Sequence, residues 1–311
     1  MTFAFRHIFR SSKPFNLLKR PYRLLPGACL GLGLGFYAFH HYKKKIVFLD
    51  SPTQGVPDPK SVLVSNEQGK LFVQPQTKCP PFPSTISLSD CQSSSTCYEL
   101  LGVGVRTVSF LSFHVYAVGI YIAKNDIQLA HSILNFSTKD FSSGSLKDAL
   151  FDPDLGTKVI SHLLDHGVRF DIRIVPVRNT DFSHLRDGFV RGVLNHSHYK
   201  ELINHPAISM SDPAHVKLID EMGQGVNQLK IAFSRKMSVP KYNIIHLVHD
   251  SNASLKISYF AAQAEDPAKE TILGTVEDPN VSKILILHYL TGKNPASESA
   301  RSNAINGLTS L

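Results

Sequence analysis

The first 49 residues contain no Asp or Glu; Asp50 is the first acid of the chain. The same stretch holds nine Lys and Arg: Arg6, Arg10, Lys13, Lys19, Arg20, Arg23, Lys43, Lys44 and Lys45. The formal net charge of +8 therefore belongs to the leader, because the remainder carries 24 basic and 25 acidic residues. No basic stripe interleaved with aromatics lies outside that leader, which excludes nucleic acid as the expected partner. Cysteine is scarce. Cys29, Cys79, Cys91 and Cys97 form no CxxC pair, which excludes a disulfide framework and the usual zinc spacings. A Cys91–Cys97 bridge would need an oxidising compartment, and free thiols are the expectation.

An acid-free N-terminus with Arg and Ser reads as a mitochondrial presequence over residues 1–23. Residues 24–42, LLPGACLGLGLGFYAFHHY, have no acid, Lys or Arg. A membrane-spanning helix needs about 20 apolar residues, so this run is expected to be a transmembrane anchor, in the mitochondrial inner membrane. Gly27, Gly31 and Gly35 recur at the spacing that lets such helices approach closely, so weak self-association through the span is a further expectation. Positive charge flanks both ends and leaves orientation open. Residues 43–83, rich in Pro, Ser and Gln, read as a linker, with a short strand at 71–73. A folded domain is expected over 84–293 and a frayed tail over 294–311.

Within the domain, Gly104–Phe110 and Phe113–Ala123 predict a β-hairpin, and Asn125–Phe136 and Leu155–Asp165 predict helices by apolar spacing. Val168–Val177 alternates apolar with charged residues and predicts a strand with one wet face. Thr180 or Asp181 suits the N-cap of a helix over Phe182–Ile203, and Pro213 opens another, to Leu229. Strands follow at Ile244–Val248, Leu255–Ala261 and Ile272–Val276. Pro279 and Gly292 bracket a last helix. Strands, helices and strands without βαβ regularity imply an α+β fold, an antiparallel sheet covered by helices on one face. There is no internal repeat.

The candidate chemistry sits in GVGVRTVSFLSFHVYAVGIYIA, residues 102–123. Arg106 heads an otherwise uncharged run of β-branched and aromatic residues. At period two, His114, Tyr116, Val118, Ile120 and Ile122 face one way, while small Ala117 and Gly119 face the other, where a helix is expected to pack closely. Arg106 lies across the hairpin from His114 and Tyr116. A cleft lined by guanidinium, imidazole and phenol suits an apolar ligand with an anionic end, since Arg takes a carboxylate by paired hydrogen bonds. The competing reading of His114 is a core histidine with a partner. His162 and His166, four apart, have no third ligand beside them and read as solvated. His246 and His249 have odd spacing and fall on opposite strand faces. Arg169, Arg173 and Arg178 are expected to pair with Asp171, Asp181 and Asp187. Phe182 and Phe189, seven apart, share one helical face.

GVGVR followed by VYAVGIYIA resembles the hairpin of the chalcone isomerase fold. VRFDIRIVPVRNTDFSHLRDGFVR, residues 168–191, resembles its next strand and helix. TILGTVEDPNVSKILILHYLTGK, residues 271–293, resembles its closing unit. The form is that of fungal mitochondrial chalcone-isomerase-like proteins, the "altered inheritance of mitochondria" group. The resemblance implies an open-faced sandwich. In the plant enzymes of this fold an Arg, a Thr, a Tyr and an Asn hold the flavanone. By resemblance the Arg falls on Arg106, the Thr on Tyr116, the Tyr on Phe182 and the Asn on Phe189. A phenyl ring cannot polarise an oxyanion, a contribution of a few kcal/mol per group. The resemblance therefore implies a retained cleft without isomerase activity. Two ligands follow from it: a fatty acid, as in plastid relatives, or haem. Haem needs an apolar slot, cations for its propionates and an axial ligand. That makes Arg106, His114, Tyr116, Phe182 and Phe189 the cofactor-binding candidates, with His114 as the metal ligand and His184 and Arg186 as weaker candidates. An intramolecular lyase acting through Arg106 and Tyr116 is the enzymatic alternative.

Overall fold

The computed structural model describes residues 62–65, 71–75, 77–89, 95–108, 113–140, 144–204, 212–261 and 269–311. The expected presequence (1–23), the expected span (24–42) with its three glycines, and Cys91 lie outside the described residues. Among the described residues no helix is long and apolar enough to cross a membrane.

Seven strands form an antiparallel sheet in which chain neighbours are also spatial neighbours: β1 (Thr85–Ser89), β2 (Ser95–Val108), β3 (Phe113–Ala123), β4 (Phe170–Pro176), β5 (Ile244–His249), β6 (Leu255–Phe260) and β7 (Thr271–Val276). The helices are α1 (Ile127–Asp140), α2 (Leu146–Phe151), α3 (Pro153–Asp165), α4 (Phe182–Asn195), α5 (Ser197–Ile203), α6 (Pro213–Ala232), α7 (Pro279–Leu290) and α8 (Glu298–Leu308). Alternation along β3 divides the core in two. Tyr116, Val118, Ile120 and Ile122 join α4, α6, α7 and α8 in the larger cluster. Ala117, Tyr121 and Ala123 join Phe82, Val175 and Phe260 in the smaller one, on the other face. The α+β class and the helix-covered antiparallel sheet are as the sequence implied.

Local signals set the element ends. The Asp181 carboxylate accepts the His184 N–H at 2.8 Å and starts α4, as its N-cap chemistry requires. Pro279 occupies the first turn of α7, capped by Asp278, and Gly292 beyond it takes a φ of 82°, a conformation glycine adopts freely. The helix expected over Phe182–Ile203 is two helices, because His196 is extended, with φ −65° and ψ 139°.

Several expectations are corrected. The face of β4 expected to be wet is covered: all seven residues are buried. The Arg173 guanidinium stacks 4.5 Å over the Phe82 ring, and Asp171 Oδ2 lies 2.9 Å from His246 Nδ1. Arg169 pairs with Asp126 instead, at 2.8 Å, and the Arg178 guanidinium stands 5.0 Å from the Phe113 ring centroid. The close neighbour of Gly119 is not a helix; a Cβ there would lie 2.6 Å from the Phe82 side chain. Cys79 and Phe82, within the stretch expected to be linker, are fully buried. The stretch expected to be a frayed tail forms α8, which buries Ala300, Ala304, Ile305 and Leu308. His246 and His249 do fall on opposite faces, the first against the Phe260 ring and the second hydrogen-bonded to Ser282 Oγ on α7 at 2.7 Å.

Candidate functional site

The glycines of GVGVR let α8 lie against β2. A Cβ at Gly102 would stand 2.4 Å from Ala304 N, and one at Gly104 only 2.2 Å from Ala300 N. Beyond its pairing with β1, which ends at Glu99, β2 would otherwise present an open edge, and α8 satisfies it with side chains. Ser297 Oγ donates to Val105 O at 2.9 Å, the Val105 N–H donates to Ser299 Oγ at 3.1 Å, and Asn303 Nδ2 donates to Val103 O at 2.7 Å. Covering an edge in this way also blocks strand addition. The strand end that carries Arg106 is thereby fixed, and Arg106 Nη1 itself donates to Ala296 O at 3.1 Å.

Across the hairpin, Arg106 faces Tyr116 and Thr107 faces His114. This register leaves Val115 as the extra residue of a bulge, and a bulge breaks the two-residue alternation. Val115 and Tyr116 both line the cleft beside Arg106; His114 does not. The Tyr116 ring lies under the guanidinium, 5.9 Å from centroid to carbon. Its hydroxyl is 2.7 Å from that of Tyr289 on α7. Burial pushes both phenols above their ordinary range, and the Arg106 charge opposes this. The pair is therefore a neutral, mutually satisfied structural contact at the cleft floor.

The cleft encloses about 310 Å³. Its apolar wall comprises Val108, Val115, the Tyr116 ring, Leu185 and Phe189, and its polar groups include Arg106, His184, Arg191 and His288. Phe189 packs on Phe233 at 5.0 Å between ring centroids. Phe182 is 1% exposed, lies against Tyr259 and Phe233, and belongs to the core behind the wall. Arg186 does not line this cleft. A second cleft of about 610 Å³ adjoins the first, sharing Arg106, Gly188, Arg191 and His288. His288 lies where α4 and α7 come closest: a Cβ at Gly192 would meet its ring at 2.6 Å. Burial, with the Arg106 and His196 charges adding to it, lowers its pKa to about 3, so the imidazole is neutral. Among the described residues no group of three or more His, Cys, Asp or Glu could hold a metal ion. His162 and His166 meet edge to face, 4.1 Å between ring centroids.

The structure thus brings Arg106, Tyr116 and Phe189 together and leaves His114 and Phe182 outside. Sequence reasoning missed Arg191 and His288. His184, Gly188, Arg191 and Asn195 recur at helical spacing and mark the face of α4 that both clefts use. His288 was visible only as one polar residue inside the apolar ILILHYL of α7.

A family model described as "Chalcone isomerase like" matches residues 96–305. The protein named "Altered inheritance of mitochondria protein 18, mitochondrial" from Debaryomyces hansenii is 34% identical over 307 residues, covering 96% of this chain and 93% of that protein. Its namesake from Kluyveromyces lactis is 36% identical over 241 residues, or 74% of this chain and 70% of that one. Among solved structures, the Arabidopsis thaliana fatty-acid binding protein superimposes with a TM-score of 0.41 at 16% identity, over 72% of this chain and 98% of that chain.

Proposed function

The chain belongs to the chalcone-isomerase-like family, and within it we propose a non-catalytic binding protein for an apolar ligand with an acidic group. The observation that carries this reading is Arg106, set at the rim of an apolar cleft beside the Tyr116 phenol, with a backbone carbonyl as its acceptor and no ion pair among the described residues. A guanidinium so placed is poised for a carboxylate. The groups an isomerase would need argue against catalysis. The Tyr116 hydroxyl is engaged by Tyr289, and Phe182 and Phe189 offer rings where a hydroxyl and an amide would be required.

Haem is the ligand we favour, and the donor set fits it. Arg106 and Arg191 stand ready for propionates, and the neutral His288 imidazole, on the wall of both clefts, replaces His114 as the residue suited to iron. When bound, haem would supply an iron atom open to axial ligation; this chain's part is to orient it and neutralise its acids. A fatty acid, using Arg106 alone, is the second reading, supported by the apolar wall of Val108, Val115, Leu185 and Phe189. The full chain titrated with haem should develop a Soret shift that Arg106→Ala weakens and His288→Ala alters in position. No shift at micromolar haem refutes the haem reading, and co-purifying fatty acids would then favour the second.

We further propose that the protein resides in mitochondria, held at the inner membrane by residues 24–42. The acid-free leader supports this, as do relatives named as mitochondrial proteins. Alkaline extraction of purified mitochondria should leave the full chain with the membranes and release a chain lacking 24–42.

A further inference from the structure

The second cleft carries four cations, Arg106, Arg191, Lys200 and Lys293, none of them in an ion pair among the described residues. Asp154 and Glu201 also line it, so two positive charges stay uncompensated. His196 contributes an independent sign of a ligand. It is 7% exposed, and its Nδ1 accepts the His198 N–H at 3.3 Å. Burial, with the His198 charge adding to it, lowers its pKa to about 4, so the ring is neutral. A neutral imidazole whose Nδ1 accepts must carry its proton on Nε2. That Nε2 is buried with no hydrogen-bond partner among the described residues, close to Gly292, which lines the same cleft. A buried donor without an acceptor is rare and calls for a reason.

We propose that this cleft receives the phosphate monoester head of an amphiphile whose apolar end lies in the adjoining apolar cleft. The inference rests on the second reading above, in which the apolar cleft takes the chain of a single-headed acid, and not on the haem reading. A monocarboxylate is satisfied by Arg106 alone and leaves three cations and one donor unanswered. A phosphate monoester carries about 1.5 to 2 negative charges at neutral pH and three acceptor oxygens. Those charges match the two uncompensated positives. Arg106 and Arg191 supply forked donors, Lys200 and Lys293 point charges, and His196 Nε2–H one further hydrogen bond.

The test titrates the full chain with dodecyl phosphate, dodecanoate and inorganic phosphate by calorimetry. Dodecyl phosphate should bind about tenfold tighter than dodecanoate, the scale of one additional charge-assisted hydrogen bond, and inorganic phosphate should bind weakest. A Lys200→Gln/Lys293→Gln variant, altered only at exposed side chains, should lose most of that preference and keep dodecanoate within twofold. His196→Phe should reduce the preference with both lysines in place. Equal binding of the two amphiphiles overturns the proposal, as does an equal loss for both in the lysine variant. Inorganic phosphate binding as tightly as dodecyl phosphate overturns the amphiphile in favour of a free anion. If neither amphiphile binds, the proposal and the fatty-acid reading of the apolar cleft fall together, while the haem reading stands or falls by its Soret titration.

Discussion

The hydroxyls of Tyr116 and Tyr289 lie 2.7 Å apart, on side chains no more than 5% exposed. Each phenol is the other's hydrogen-bond partner, and the pair ties β3 to α7 at the floor of the cleft. Tyr116→Phe or Tyr289→Phe alone leaves one buried hydroxyl unsatisfied, a cost of about 1–3 kcal/mol. The double variant restores an apolar pair and should lose much less than the sum of the two single losses. A double-mutant cycle in urea checks this; strictly additive losses would refute the pairing.

Gly104→Ala places a methyl 2.2 Å from the Ala300 backbone nitrogen. Backbone cannot swing aside as a side chain does, so α8 must shift, at a cost of about 1–3 kcal/mol or more. At Gly223 on α6 a Cβ meets nothing within 4 Å. Gly223→Ala should instead stabilise by about 0.4–1 kcal/mol. Thermal melts of the two variants should move in opposite directions.

Buried histidines set the acid response. Burial lowers the pKa of His196 and His249 to about 4 and that of His288 to about 3. In the unfolded chain each binds a proton near pH 6.5, so below that pH the unfolded state holds more protons. Stability is therefore full above about pH 6.5 and falls as pH drops toward 4, by up to roughly 3 kcal/mol per histidine. Melting temperature measured across that window should decline, and His249→Gln should flatten the slope. A flat profile in the parent protein would contradict the burial of these rings.

Arg169 holds Asp126 with both ends of its fork: Nε donates to Oδ2 and Nη2 to Oδ1, each at 2.8 Å, while the Arg169 N–H adds a bond to Oδ2 at 2.9 Å. The pair joins the turn after β3 to the start of β4. Asp126→Ala should cost about 3 kcal/mol, the low end for breaking a mostly buried pair. Arg169→Lys should recover little of an Arg169→Ala loss, because an ammonium cannot reproduce two parallel bonds. Denaturant midpoints for the three variants decide it.

The parts that the sequence disclosed were those written locally. Asp181 announces α4, and Pro279 with Gly292 brackets α7, because caps and φ preferences act within a few residues. α8 was hidden: ESARSNAINGL has little apolar periodicity of its own. It is held because Ala300 and Ala304 fit the bare backbone of Gly104 and Gly102, a match spread over about 200 residues of chain. His114 falls outside the lining of the described cleft for a related reason. Strict alternation puts it beside Tyr116, and one extra residue, Val115, turns it away; nothing local signals that bulge. Arg191 and His288 meet Arg106 only through the packing of α4 and α7 on the sheet.

The stitching of β2 to α8 has a consequence for the order of events during synthesis. Val103 and Val105 depend on Ser297, Ser299 and Asn303, up to 200 positions later in the chain. Until those residues leave the ribosome, the strand bearing Arg106 keeps bare amides and carbonyls on its margin. A nascent chain stalled before position 297 would expose a glycine-rich strand prone to pairing with its copies. The strand that carries Arg106 thus gains its final support and loses its sticky margin in a single, late step.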